Sequence, residues 1–169
     1  MNNKAQFDLI EIVITLIGIA MIIMIVLLVN NKITDVYKTQ VDVNSTAYKA
    51  IDKANTTFQG GLDKLFLGIF ILLLIGMIIL AFYIQSSVLF LVIFLVISVI
   101  STWFAAIISN VYMTIEATGL FATVLTYLPM QSFIMEYLPI FVAGFAMVLL
   151  IVTYSKDILF QRVGMEPTQ

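Results

Sequence analysis

The sequence predicts an all-α protein: an integral membrane bundle of four transmembrane helices, with a helical extramembrane segment between the first and the second. Three observations carry this. Four apolar stretches, residues 9–29, 65–84, 88–109 and 132–154, each match the ~20 helical residues that cross a bilayer core about 30 Å thick. Charged residues make up only 11% of the chain, against about 25% in soluble domains, and the mean hydropathy is +1.12. No stretch alternates with the period of a barrel strand, and irregular backbone cannot face lipid, so the stretches are helices.

The first span follows Lys4. It is longer than the ~7–15-residue apolar core of a cleaved leader, and the sequence LLVNNKITDVY at its end offers no small-residue cleavage site, so the span is expected to be retained. Glu11 lies inside it, with Thr15 and Gly18 on the same helical face. An acid at membrane depth costs about 3 kcal/mol on insertion scales and is a functional candidate by default. The competing reading puts Glu11 and Asp8 at the headgroup level near Lys4. Small multidrug-resistance transporters are similar in one respect, being four-helix proteins with a membrane-embedded glutamate in the first helix, where Glu11 falls. That resemblance implies proton-coupled transport, but those proteins are shorter and tightly looped, without a polar segment like residues 30–64.

Residues 30–64 hold five of the eight basic residues. Ile33, Val36, Tyr37 and Val41 recur at helical spacing, so the first helix is expected to run on past the membrane surface. In NSTAYKAIDKANTTF, capping residues precede a second helix with Ala47, Tyr48, Ile51, Ala54 and Phe58 on one side. Gly60-Gly61 is expected to break that helix, and Asp63 to cap the second span. The segment then reads as a short helical hairpin lying over the bundle, with Tyr48, Ile51 and Phe58 as a candidate docking surface for a partner protein. Asn44 and Asn55 stand in sequons that permit glycosylation in a suitable compartment. The lysines favour a cytoplasmic 30–64 segment, opposite Lys4, Lys156 and Arg162.

Only Gln85, Ser86 and Ser87 separate the second and third spans, which predicts a tight antiparallel hairpin. On the third span, Ser98, Ser101, Thr102 and Ala105 form a stripe of small and hydroxyl side chains, the means by which helices approach closely in lipid; Gly144 on the fourth span offers a matching surface. Residues 110–131 read as an interfacial segment. Pro129 suits the first turn of a helix, whereas Pro139 either kinks the fourth span or separates an interfacial turn from the membrane helix proper. Glu116 and Glu136 fall on the lysine-bearing side; they are candidate functional acids, pairing with Lys32 or Lys64 or, converging, binding a cation, with interfacial pairing the preferred reading.

The chain has no cysteine and no histidine, which excludes a Ser-His-Asp triad, thiol catalysis, disulfides and zinc or haem ligation by those residues. No phosphate-binding glycine loop or paired-acid helix motif is present, so no enzyme activity, cofactor or small-molecule substrate is expected. The absence of a basic run points away from nucleic acid. AAIISNVY, FATVLTYLPMQSFIMEYLPIFV and LLIVTYSK resemble small multi-spanning membrane proteins encoded by viruses of bacteria and archaea, including viruses whose particles contain a lipid membrane. The resemblance covers roughly the last 80 residues. It implies a structural or assembly role in a host or virion membrane, with membrane or capsid-type proteins, or further copies of the chain, as partners. The alternative is a channel, holin or proton-coupled transporter that uses Glu11.

Overall fold

A computed structural model of the chain describes residues 4–83, 88–119 and 121–163. The Gln85–Ser87 turn lies outside the described residues, as do the side chains of Lys4, Asp8, Lys156 and Arg162. The described chain forms α1 (Lys4–Thr39), α2 (Thr46–Tyr83), α3 (Val88–Glu116), α4 (Ala122–Leu125), α5 (Pro129–Glu136) and α6 (Leu138–Val163). Of these, α1, α2, α3 and α6 are long and apolar enough to cross a membrane. The protein is an all-α integral membrane bundle.

The four long helices close a ring in which α1 packs on α2, α2 on α6, α6 on α3 and α3 on α1. The expected α2–α3 hairpin turn lies outside the described residues; among the described residues these two helices share none of the main interfaces, and both turn toward α1 and α6. The cause is where their buried stripes point. On α3, Phe94, Ser98, Ser101, Ala105, Ile108 and Tyr112 are buried at alternating steps of four and three, and on α1 Val13, Leu16, Ala20, Ile23 and Leu27 do the same. Residues between the stripes, such as Val99, Ile22 and Ile151, are exposed and apolar, as a helix bathed in hydrocarbon requires.

The α1 and α2 helices have 36 and 38 residues, about 54 and 57 Å of helix against a bilayer core of about 30 Å. They leave the bundle together as an antiparallel hairpin, upright rather than lying over it. Its tip is built by side chains. Asp42 Oδ1 accepts the Asn44 N–H at 2.9 Å, the Ser45 hydroxyl donates to the Asp42 carbonyl at 2.6 Å, and Ser45 Oγ caps α2 by accepting the Tyr48 N–H at 3.1 Å.

Along the hairpin seam, α1 contributes Asn30, Asn31, Thr34 and Lys38, and α2 contributes Tyr48, Asp52, Asn55 and Gln59. Gln59 donates to Asn31 Oδ1 at 2.8 Å, Asn30 donates to Asn55, and Lys38 pairs with Asp52 while its ammonium lies 5.2 Å from the Tyr48 ring centre. This seam explains a second correction. Gly60-Gly61 does not end the helix, because Gln59, Asp63 and Phe66 continue the buried stripe on both sides of it. Those contacts outweigh the ~1 kcal/mol that each glycine costs in a helix.

After α3 the chain turns through α4, and α5 then runs back into the mouth of the ring against α2 and α3. Leu128, at φ −122° and ψ 52°, precedes Pro129 at the first helical position. Tyr137, at φ −95° and ψ 15°, separates α5 from α6. Of the two readings of Pro139, the structure selects separation. The fourth membrane helix therefore starts at Leu138 rather than at residue 132, and α5 is a distinct element above it.

Candidate functional site

The polar groups inside this apolar bundle converge on α5. A helix begins with N–H groups that have no partner within it. Leu128, at the cap position, has no side-chain oxygen with which to accept one. Pro129 has no N–H to satisfy. The next two, on Met130 and Gln131, donate to Asp63 of α2, at 3.2 Å to Oδ2 and 2.9 Å to Oδ1. Asp63 thus caps α5 across the bundle rather than the start of its own span, and its charge lies at the favourable end of the α5 dipole. The side chain is 6% exposed.

Gln131, fully buried, extends the cluster. Its Nε2 donates to the Ala20 carbonyl of α1 at 3.1 Å and to the Tyr112 hydroxyl of α3 at 3.2 Å. One side chain on α5 therefore ties together α1 and α3, while its own backbone is tied to α2. Gln131 Oε1 has no partner. Ala20 and Tyr112 are themselves fully buried, so these bonds are made away from water.

At the far end of α5 the break is satisfied in the same manner. In an unbroken helix the Glu136 carbonyl would accept the Ile140 N–H; here that N–H turns to Tyr137 instead, at 3.0 Å. The vacated Glu136 carbonyl accepts the Ser109 hydroxyl of α3 at 2.8 Å. Phe133 packs between Tyr137 and Phe141, with ring centres 5.0 and 6.1 Å away, and Phe141 meets Phe70 of α2 edge-on at 5.4 Å. Ser109→Ala is expected to lower stability by about 1 kcal/mol, the usual scale for an interhelical hydrogen bond in a membrane protein, measured as a shift in the unfolding midpoint in mixed micelles. A neutral result would mean that this carbonyl finds another donor.

The three candidate acids do not come together. Glu11 is exposed on α1. Glu116 is half-buried and accepts the Ser132 hydroxyl at 2.9 Å, so it fastens α3 to α5. Glu136 contributes its backbone carbonyl while its side chain is exposed. Neither Glu116 nor Glu136 is in an ion pair among the described residues, where Lys38 with Asp52 is the pair formed. No group of three or more acids among the described residues is placed to hold a metal ion.

Of the packing residues, Ser98, Ser101 and Ala105 are buried on α3 and Thr102 is half-buried. Gly144 is a correction. Val142, Ala146 and Leu149 form the buried side of α6, Gly144 faces away from them, and a Cβ placed there would meet nothing within 4 Å. The docking trio divides: Tyr48 belongs to the seam, whereas Ile51 and Phe58 flank it, Phe58 being 41% exposed. Sequence reasoning did not single out Gln131, and assigned Asp63 to the wrong helix. The available signal was local, since a helix opening Leu128-Pro129 cannot cap itself and must borrow an acceptor. Comparison of the chain with protein-family models, characterised proteins and solved structures finds no match.

Proposed function

We propose that the chain is a non-enzymatic structural membrane protein that links a bilayer to partner proteins through the α1–α2 hairpin. The observation that carries this reading is an apolar face on the protruding hairpin. Its seam is filled by polar groups that satisfy one another, yet Ile33 and Tyr37 of α1 are 51% and 57% exposed. Helical periodicity and the antiparallel pairing put these two on the same side as Ile51 and Phe58 of α2. Paired helices whose polarity is spent on each other and whose apolar side is open suit a helix or groove on another protein. The setting that accords with the C-terminal resemblance is a virion membrane, with membrane or capsid-type proteins, or further copies of the chain, as partners.

A photo-crosslinking side chain at Phe58, activated in producing cells or particles, tests this. A discrete protein adduct is expected, and Ile33→Glu with Tyr37→Glu should abolish it while helicity is unchanged. Adducts to lipid alone would refute the proposal. The transport alternative makes a different demand. Purified protein in liposomes would have to conduct or exchange ions, and Glu11→Gln would have to stop it. With Glu11 exposed rather than turned into the bundle, no such flux is expected.

A further inference from the structure

The outward, apolar side of α1 does not end where the apolar stretch ends. Ile22, Val26, Val29, Ile33 and Val36 follow one another at steps of four, three, four and three, so they stand in one line along the helix. All five are exposed. The line points away from the seam that Asn30, Asn31 and Lys38 make with α2. Where the apolar stretch gives way to polar sequence, Asn30, Asn31 and Lys32 flank the line or lie behind it, so no polar side chain interrupts it.

The place of the line decides what covers it. Val29 closes the first apolar stretch, and Ile33 and Val36 stand about 6 and 10 Å beyond it along the helix. Hydrocarbon covers Ile22 to Val29 but not the two residues beyond, and a soluble partner covers those two but cannot follow the line into the bilayer. One kind of occupant meets both halves: a helix that crosses the membrane surface in step with α1. In this chain α1 itself does so with a matching surface, since a line of Ile and Val at heptad spacing is complementary to a parallel copy of itself. All five side chains are β-branched and already stiff in a helix, so packing them costs little rotamer freedom. Deeper in the membrane the same side continues as Gly18 and Thr15, both exposed, and small side chains let membrane helices approach closely. The α2 helix crosses the surface too, but apart from Phe58 its outer side there is Ala47, Ala50 and Ala54, with less apolar area to bury. We propose that α1 pairs in parallel with α1 of a second copy of the chain, through this line and across the membrane surface. The pairing rests on the docking reading of the hairpin and names its partner.

The chain has no cysteine, so a single introduced one reports on its own surroundings. Purified full-length Val29→Cys and Val36→Cys chains in phosphatidylcholine vesicles, where no other protein is present, are treated with a membrane-permeant oxidant and run on a non-reducing gel. Disulfide-linked dimers are expected at both positions, and they should persist when the vesicles are diluted with excess lipid before oxidation. Asp35→Cys, exposed on another side of α1, and Ile75→Cys, exposed on α2, should stay monomeric. Monomers at Val29→Cys and Val36→Cys, equal dimer at all four positions, or dimers that vanish on lipid dilution would each overturn the pairing. The Phe58 adduct keeps this outcome apart from failure of the docking reading. An adduct to a different protein, with both cysteine variants monomeric, sinks the pairing and leaves docking standing; an adduct with the mass of two chains, alongside the cysteine dimers, supports both.

Discussion

Asp63→Ala is expected to destabilise the bundle by about 2–4 kcal/mol, the loss that follows when one buried and one half-buried N–H group forfeit their acceptor together with the cap of a helix. Pro129 donates nothing, and Met130 and Gln131 both donate to Asp63. At 6% exposure of Asp63, water has little room to replace the lost oxygens. Asp63→Asn should cost about half as much, since one amide oxygen remains while the NH₂ group opposes the other N–H. Unfolding midpoints in mixed micelles give the ranking, and amide exchange gives the location. Protection should fall first at Met130 and Gln131, not along α2. If Asp63→Ala instead frayed the start of α2 and left α5 protected, the cross-bundle cap would be wrong.

This cap marks the boundary of what the sequence alone makes legible. Membrane crossing is written in composition, since four long apolar runs have no other stable fate in a bilayer. The continuation of α1 past the membrane shows in the spacing of Ile33, Val36, Tyr37 and Val41, and the start of α2 shows in Ser45 and Thr46. Where a local signal meets a non-local one, the local reading fails. Gly60-Gly61 looks like punctuation until α1 supplies a seam on both sides of it. Asp63 looks like a cap for the nearest helix, but the N–H groups it serves lie 67 and 68 residues away. Nor does any periodicity disclose that Ser109 lies opposite the carbonyl freed by the break before Pro139. Such contacts depend on which helices become neighbours, and the ring order α1, α2, α6, α3 is not the chain order.

Gln131 separates two kinds of contribution that Asp63 combines, and its variants should differ accordingly. Gln131→Ala is expected to cost about 3 kcal/mol, near the lower part of the range for truncating a large, fully buried side chain, because it opens a cavity where α1, α3 and α5 meet. Gln131→Met keeps the volume and gives up both donated hydrogen bonds, each worth about 0.6 kcal/mol on average between membrane helices. It also removes Oε1, an acceptor that is buried without a partner and therefore costs energy in the wild type. These two effects oppose each other, so Gln131→Met should fall within about 1 kcal/mol of the wild type. Combining it with Tyr112→Phe in a double-mutant cycle isolates the amide–phenol bond, for which a coupling of about 0.5–1 kcal/mol is expected. If Gln131→Met proved as damaging as Gln131→Ala, the amide's polarity rather than its bulk would hold the mouth of the ring together. Oε1 would then have to be bonded in the membrane, most simply to a buried water bridging it to the Tyr112 hydroxyl.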